Sequence, residues 1–417
     1  MSSATRVPQS VGESRQLGPA TARVTSVDVL RGFDMFWIIG GEYLVLAGAA
    51  MSKNPMIETL ATQFEHVDWV GFRFYDLIFP LFIFLVGTSV VFSLGRILAE
   101  SGRGAAVRRV VRRSVILVLL GIFFYGGLST TWPDIRLMGV LQRIGLCYFF
   151  AGLIYIAFHR RPAVMVAICA ALLLGYWAAL TWVPFPDIRL ERANLERISR
   201  EIGSADPAAL TAAATETVRG VYQKGYNLSD YLDFRYLPGR KWDAYFDPEG
   251  ILSTLPAIAT CLLGVFAGLL VRSTSVTDVG KVKWLLIAGL AGLVAGYAWG
   301  LQFPVVKKIW TSSFVLVAGG YSAVLLGLVY LVVDVWRRQA WCRPFIWIGM
   351  NPITLYVISE IVDFRGLAER LAGGDLKAFL DGQVVQGLGG LVIAVLQVGL
   401  LLWLARLLYQ RRIFLRV

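Results

Sequence analysis

Histidine is rare in this chain, and one of its two histidines lies where proton-transfer chemistry could take place. His66 has Glu65 before it and Asp68 after it, and Asp76 follows at the start of an apolar run. An imidazole titrates near neutral pH, and neighbouring carboxylates set its tautomer and basicity. We therefore predict His66 as a catalytic residue, with Asp68 and Asp76 as orienting carboxylates. The structural alternative is an interfacial histidine that anchors a loop end at the lipid headgroups.

Arg31 is a second residue with chemical potential, because an acid stands three residues away on each side. On a helix, Asp28 and Asp34 would lie next to it on one face and could neutralise its charge. A cytoplasmic ion-pair cluster is one interpretation. The other is an anion site for a phosphorylated ligand that enters from the cytoplasm, since a planar guanidinium suits phosphate oxygens.

Polar residues also stand in or beside apolar stretches further along the chain. Gln142 and Arg143 lie near the start of one, where an arginine costs about 2.5–3.5 kcal/mol on insertion scales and should face the bundle interior or a wet cavity. Asp247 and Glu249 precede another stretch, and could cap a helix or line an exported site. Together with Asn351, these residues are predicted to bind substrate or donor, with structural pairing or capping as the alternative.

The elements that must position these residues are membrane helices. Hydrophobic residues make up 57% of the chain and charged residues only 16%, which is typical of a polytopic membrane protein. Stretches long enough to cross a bilayer, about 17–25 residues each, begin near Phe33, Leu77, Val110, Gly139, Ala163, Leu252, Trp284, Ser313, Pro344 and Val384. The predicted fold is an all-α polytopic membrane helix bundle of about ten transmembrane helices.

The distribution of arginine predicts the orientation of this bundle. The connection between the second and third spans contains one acid, Glu100, and the basic residues Arg96, Arg103, Arg108, Arg109, Arg112 and Arg113. Such a loop remains in the cytoplasm, and with ten spans both termini are cytoplasmic too. We expect a multi-pass protein of a cell inner membrane. The net charge of +12 follows from this topology, so no nucleic-acid partner is predicted.

The chain divides into a short tail and one large membrane domain. Residues 1–25 are polar and are predicted to form a disordered cytoplasmic tail, whereas residues 26–417 form the transmembrane domain. Within it, residues 184–250 form a soluble insertion between the fifth and sixth helices, and the alternation of spans places this insertion on the exported side. The four cysteines show no zinc-site spacing, so neither a metal site nor a disulfide is predicted.

Seven segments occur in an order that resembles the heparan-α-glucosaminide N-acetyltransferase family. They are Asp28–Asp34, His66 with Trp69 and Gly71, Asp76–Pro80, Gly139–Arg143, Asp247–Gly250, Trp310–Ser313 and Gly349–Pro352. The family has an asparagine beside its active-site histidine, and Gly40-Gly41-Glu42 stands there in this chain.

This resemblance implies that residues 26–417 are an acyltransferase domain. The donor would be cytoplasmic acetyl-CoA, the acceptor the amine of a glucosamine-like amino sugar at the exported face, and His66 the active-site histidine. His66 would either act as a base on the acceptor amine or carry the acetyl group itself. The expected partners are acetyl-CoA, the amino sugar, the lipid bilayer and a second copy in a homodimer.

Two other functions remain open at this stage. In a transporter for amino sugars or sugar oligomers, the same buried charges would line a permeation pathway. A non-catalytic relative would serve as a membrane partner protein.

Overall fold

The computed structural model describes residues 24–52, 54–129 and 131–414. The predicted tail, residues 1–25, lies almost entirely outside this part. The described residues form an all-α polytopic bundle, which confirms the predicted fold class, with one short antiparallel pair of strands, β1 (Phe185–Pro186) and β2 (Thr217–Val218). The α-helices are α1 (Thr25–Phe36), α2 (Glu42–Ala50), α3 (Pro55–Thr62), α4 (Phe74–Glu100), α5 (Gly102–Phe124), α6 (Val140–Phe158), α7 (Pro162–Trp182), α8 (Arg192–Ile202), α9 (Pro207–Ala212), α10 (Leu228–Tyr236), α11 (Thr254–Arg272), α12 (Asp278–Gly300), α13 (Ser312–Tyr330), α14 (Arg343–Gly349), α15 (Pro352–Ile361), α16 (Phe364–Ala372), α17 (Gly374–Phe379) and α18 (Leu388–Gln410).

Nine helical segments of the described chain are long and apolar enough to cross a membrane. They are Thr25–Ala50, Phe74–Glu100, Gly102–Ser129, Val140–Phe158, Pro162–Trp182, Thr254–Arg272, Asp278–Gly300, Ser312–Val335 and Leu388–Gln410. They account for nine of the ten predicted spans.

The span predicted to begin near Pro344 is not one continuous helix. It consists of α14 and α15, which are separated at Asn351, and each is too short to cross a bilayer alone. Pro352 has no N–H to donate to the preceding turn, so the chain starts a new helix there. Of the ten predicted helices, nine are thus long helical segments of the described chain and the tenth is a broken pair.

The first span is also interrupted. A π-helical turn, Trp37–Gly41, joins α1 to α2, and Gly40 has a φ of 133°. A Cβ atom at Gly40 would lie 2.9 Å from Nε2 of Gln397 on α18. Glycine is needed here both for the backbone conformation and for the close approach of α18.

Helices α4 and α11 form the buried centre of the bundle, and their glycines bring the two backbones together. A Cβ at Gly87 would lie 1.9 Å from the carbonyl oxygen of Cys261, and one at Gly264 would lie 1.8 Å from that of Phe84. Small residues allow membrane helices to pack at such short distances. This pair provides a rigid base for Asp76, which lies in the first turn of α4.

The insertion between α7 and α11 folds over one end of the bundle. Its apolar centre is formed by residues of α8, α9, α10 and the adjoining loops: Ile188, Leu190, Leu195, Leu210, Phe234 and Phe246. Trp69 packs against this cluster, and its indole N–H donates to the carbonyl of Tyr222 at 2.7 Å. The insertion therefore joins the loop that contains His66, whereas the arginine-rich connection lies at the opposite end of α4.

Candidate active site

His66 is held by the first turn of α4. The Oδ2 atom of Asp76 accepts from the backbone N–H groups of Arg73 at 3.1 Å and Val67 at 3.3 Å. Its Oδ1 atom lies 2.8 Å from Nδ1 of His66. An ionised carboxylate can only accept hydrogen bonds, so this contact places the proton of the neutral imidazole on Nδ1 and leaves a lone pair on Nε2. Asp76 thus takes the orienting position predicted for it.

A lysine that the sequence prediction did not include completes this group. The Nζ atom of Lys307 lies 3.0 Å from Nδ1 of His66 and 3.4 Å from both Nε2 of His66 and Oδ1 of Asp76. Lys307 comes from the loop between α12 and α13. That loop is fixed to the His66 loop by a hydrogen bond from the N–H of Gly71 to the carbonyl of Val305 at 2.9 Å. We call His66, Asp76 and Lys307 the histidine cluster.

The surroundings of His66 favour its neutral form. Partial burial lowers its pKa below the ordinary value, the hydrogen bond to Asp76 opposes this change, and the positive charge of Lys307 adds to it. Burial likewise lowers the pKa of Lys307. The His66 side chain is nevertheless 51% exposed. The cluster therefore presents an unprotonated and accessible imidazole, which is the form that can act as a base or nucleophile.

Glu42 is linked to His66 through a tyrosine. The ring of Tyr75 lies 4.8 Å from that of His66, and the Tyr75 hydroxyl is hydrogen-bonded to the Glu42 side chain. Glu42 directly follows Gly40 and Gly41 at the break in the first span. Its contact to His66 runs through Tyr75.

A second charged group, centred on an arginine, lies at the same end of the bundle. Arg136 donates from Nε and Nη2 to the two carboxylate oxygens of Asp247, at 2.9 and 2.7 Å, and from Nη2 to Glu249 at 2.7 Å. Its guanidinium lies over the rings of Tyr125 and Trp242, 4.3 and 5.0 Å from their centroids. We call Arg136, Asp247 and Glu249 the arginine cluster. The two acids predicted to bind a ligand thus share one buried arginine as their ion-pair partner.

Arg143 lies completely buried beside the arginine cluster. Its Nη2 atom donates to the Gly250 carbonyl at 3.2 Å and to the Ser253 hydroxyl, and its guanidinium is 5.1 Å from the Trp310 ring centroid. Its Nε and Nη1 atoms have no hydrogen-bond partner among the described residues. Arg143 faces the bundle interior, as its insertion cost predicts, and its role in binding remains a prediction.

The histidine and arginine clusters are electrostatically connected. The negative charge of Glu249 raises the pKa of Lys307, opposing the effect of burial. Burial and the neighbouring Asp247 in turn raise the pKa of Glu249. Gln142 also belongs to this region, because its Nε2 lies 3.4 Å from the carbonyl of Arg136.

Three predicted site residues lie elsewhere. Asp68 is 81% exposed and pairs with Lys224 of the insertion at 2.9 Å, away from His66, and its orienting role stays a prediction. Arg31 pairs with Asp28 at 3.3 Å and also donates to Ser89, which is about 20 Å from Asp76 along α4. The side-chain amide of Asn351 donates to the Ile413 carbonyl at 2.9 Å, beyond the end of α18.

Two cluster residues could have been predicted from the unusual position of their positive charges. Lys307 and Arg136 are basic residues in short loops on the side predicted to be exported, where basic residues are uncommon. Lys307 also stands three residues before the Trp310–Ser313 segment. Among the described residues, no group of three or more His, Cys, Asp or Glu side chains is placed to hold a metal ion.

Comparison with known proteins supports the resemblance. Residues 23–189 match the family model for the catalytic region of heparan-alpha-glucosaminide N-acetyltransferase. The heparan-alpha-glucosaminide N-acetyltransferase of Mus musculus is 26% identical over 353 residues, which cover 72% of this chain and 49% of the mouse protein. The Homo sapiens protein of the same name is 26% identical over 386 residues, or 84% of this chain and 54% of the human protein. The chain spans about half the length of these curated relatives. The predicted resemblance is confirmed: this polytopic membrane protein is similar to the heparan-α-glucosaminide N-acetyltransferases of mouse and man, and its first half matches their catalytic family model.

Proposed function

We propose that this protein is a membrane acetyltransferase that moves the acetyl group of cytoplasmic acetyl-CoA to the amine of a glucosamine-like amino sugar at the exported face. One observation carries the proposal. In a chain similar to N-acetyltransferases, His66 contacts a buried carboxylate and is half accessible at the end of the bundle covered by the insertion. We place the protein in a cell inner membrane.

The chemistry requires a proton acceptor and a stabilised oxyanion. In one scheme the neutral acceptor amine attacks the thioester carbonyl, Nε2 of His66 takes the proton that the amine loses, and the thiolate of coenzyme A departs with that proton. In the other scheme Nε2 attacks the thioester first and coenzyme A departs as the thiolate. The amine then takes the acetyl group from the imidazole, and Nε2, free again, accepts the proton that the amine loses and passes it to water. In both, the ammonium group of Lys307 lies close enough to Nε2 to stabilise the developing oxyanion.

The donor must pass through a bundle that is closed here. Between α1, α4, α6 and α15 lies an apolar slot with a volume of only about 20 Å³, lined by residues that include Met35, Phe79 and Tyr356. This space holds about one water molecule, so an acyl-pantetheine chain cannot pass through it. Donor entry therefore requires these helices to separate. The breaks at Gly40 and at Asn351 are the hinges that we assign to this movement.

The test uses purified protein, acetyl-CoA with a radiolabelled acetyl group, and glucosamine. We expect labelled N-acetylglucosamine, and we expect His66→Ala to abolish its formation. His159→Ala is the matched control, because the second histidine lies at the end of α6, where it contacts the Ile156 carbonyl and the Tyr155 ring. Full turnover by His66→Ala would remove His66 from the chemistry.

Two further measurements separate the alternatives. Label that stays on the wild-type protein without acceptor, and is absent from His66→Ala, would identify an acetyl-histidine intermediate. Counterflow of unmodified glucosamine in proteoliposomes without acetyl-CoA would instead support a transporter.

A further inference from the structure

A basic cavity opens at the end of the bundle opposite His66. It has a volume of about 910 Å³ and lies between the turn after α13, helix α14 and the last turns of α18. Its lining contains no acid and four arginines, which are Arg337, Arg338, Arg343 and Arg406. The cavity lies far from the histidine cluster, because the opposite end of α13 adjoins the Lys307 loop. The proposed reaction therefore does not explain these charges.

These arginines differ from three exposed helix arginines that have acidic partners. Arg192, Arg197 and Arg365 each pair with a glutamate one helical turn away, at 2.7, 2.8 and 3.2 Å. None of the four cavity arginines forms an ion pair within the described part of the chain. Like charges this close repel one another, and a bound anion would relieve that repulsion.

Aromatic side chains place the cavity at the level of a membrane interface. Trp341 and Trp347 are part of the lining, and the Arg406 guanidinium lies 5.4 Å from the Trp347 ring centroid. Trp403 is one turn before Arg406 on α18 and is 64% exposed. Tryptophan concentrates where the acyl chains meet the headgroups. Basic pockets between transmembrane helices on the cytoplasmic side are known headgroup sites.

We propose that this cavity binds the phosphate headgroup of an anionic phospholipid, of the phosphatidylglycerol class, from the cytoplasmic leaflet. Arginine forks suit phosphate oxygens, and the indoles would pack against the glycerol and the upper acyl chains. The nucleotide of acetyl-CoA is the other phosphate-bearing candidate. The phospholipid is favoured because the cavity opens at the tryptophan level and shares no lining residue with the apolar slot between α1, α4, α6 and α15.

Native mass spectrometry of the full chain in a neutral detergent tests this proposal. Phosphatidylglycerol and phosphatidylcholine with identical acyl chains are titrated separately. We expect tighter retention of phosphatidylglycerol, and we expect Arg337→Gln/Arg338→Gln/Arg406→Gln to weaken it about fivefold for each arginine removed. The matched control is Arg192→Gln/Arg197→Gln/Arg365→Gln, which changes the net charge by the same amount. It should retain phosphatidylglycerol as tightly as the wild-type protein does.

Three results would overturn the proposal: equal retention of the two lipids by the wild-type protein, wild-type retention by the cavity variant, or loss of phosphatidylglycerol from the wild-type protein on addition of coenzyme A. The last result would assign the cavity to the donor nucleotide. The first and third measurements need only the wild-type chain, so the test stands even if the cavity variant does not fold. Acetyl transfer is not the readout, so failure of the proposed function would leave this result intact.

Discussion

The histidine cluster and the arginine cluster lie at the same end of the bundle and are built from similar residue types, yet their settings differ. In the arginine cluster, Arg136 and Asp247 are almost fully buried and joined by two hydrogen bonds. In the histidine cluster, Asp76 is equally buried but His66 is half exposed. In the first cluster both carboxylates pair with one buried arginine, whereas the second keeps a basic nitrogen that a substrate can reach. The two clusters contain similar residue types, so the exposure of their side chains is what distinguishes a site suited to chemistry from one that stabilises the fold.

The largest expected effect is on catalysis and comes from Asp76. Asp76→Asn keeps the shape of the side chain but removes the charge that holds the proton on Nδ1 of His66. We expect the rate of acetyl transfer to fall by about 10²–10⁴, with a far smaller change in KM, measured with labelled acetyl-CoA. A variant with normal kcat would show that the orientation of His66 does not matter.

A substitution in the arginine cluster should lower the stability of the protein. Arg136→Met leaves two buried carboxylates without a partner, which costs about 3–5 kcal/mol in the free energy of unfolding. Thermal unfolding in detergent measures this loss. Arg136→Met/Asp247→Asn/Glu249→Gln removes the stranded charges and should recover much of it. If Arg136→Met were as stable as wild type, the arginine cluster would not support the fold.

The pH dependence of kcat/KM should show whether Lys307 acts on His66 or has only a structural role. Lys307 lowers the pKa of His66, so Lys307→Met raises that pKa. Because the neutral imidazole is the active form, the acidic limb of kcat/KM should move to higher pH.

Lys308→Met is the matched control for this shift. Lys308 acts on His66 in the same direction but more weakly, and it pairs with Asp243 at 2.8 Å. An acidic limb that stayed in place in Lys307→Met, or that moved further in Lys308→Met, would contradict the assignment.

The smallest effect is expected at Asp68. Its ion pair with Lys224 is exposed, and exposed pairs contribute about 0–1 kcal/mol. Asp68→Asn should therefore leave both the unfolding temperature and acetyl transfer close to wild type. A loss of transfer comparable to that of Asp76→Asn would restore Asp68 to the catalytic group.

The sequence predicted the helical architecture well and the site only in part. Nine spans follow from apolar length, because a continuous apolar stretch in lipid has to satisfy its own backbone hydrogen bonds. The tenth was predicted as continuous because composition alone does not show where Pro352 interrupts the helix. Asp76 follows His66 by only ten residues, so their pairing was within reach of local reasoning.

What the sequence by itself determined is a helical membrane bundle, a family resemblance and a histidine at one end of it. Apolar length and ordered local motifs encode these properties. Only the tertiary structure decided that Lys307, 241 residues further along, joins His66, that Arg136 pairs with Asp247 and Glu249, and that Asp68 turns to the insertion. Such contacts depend on how α4, α11 and α13 pack. A difference of a few ångströms in packing determines whether two charges meet, and no local pattern records it.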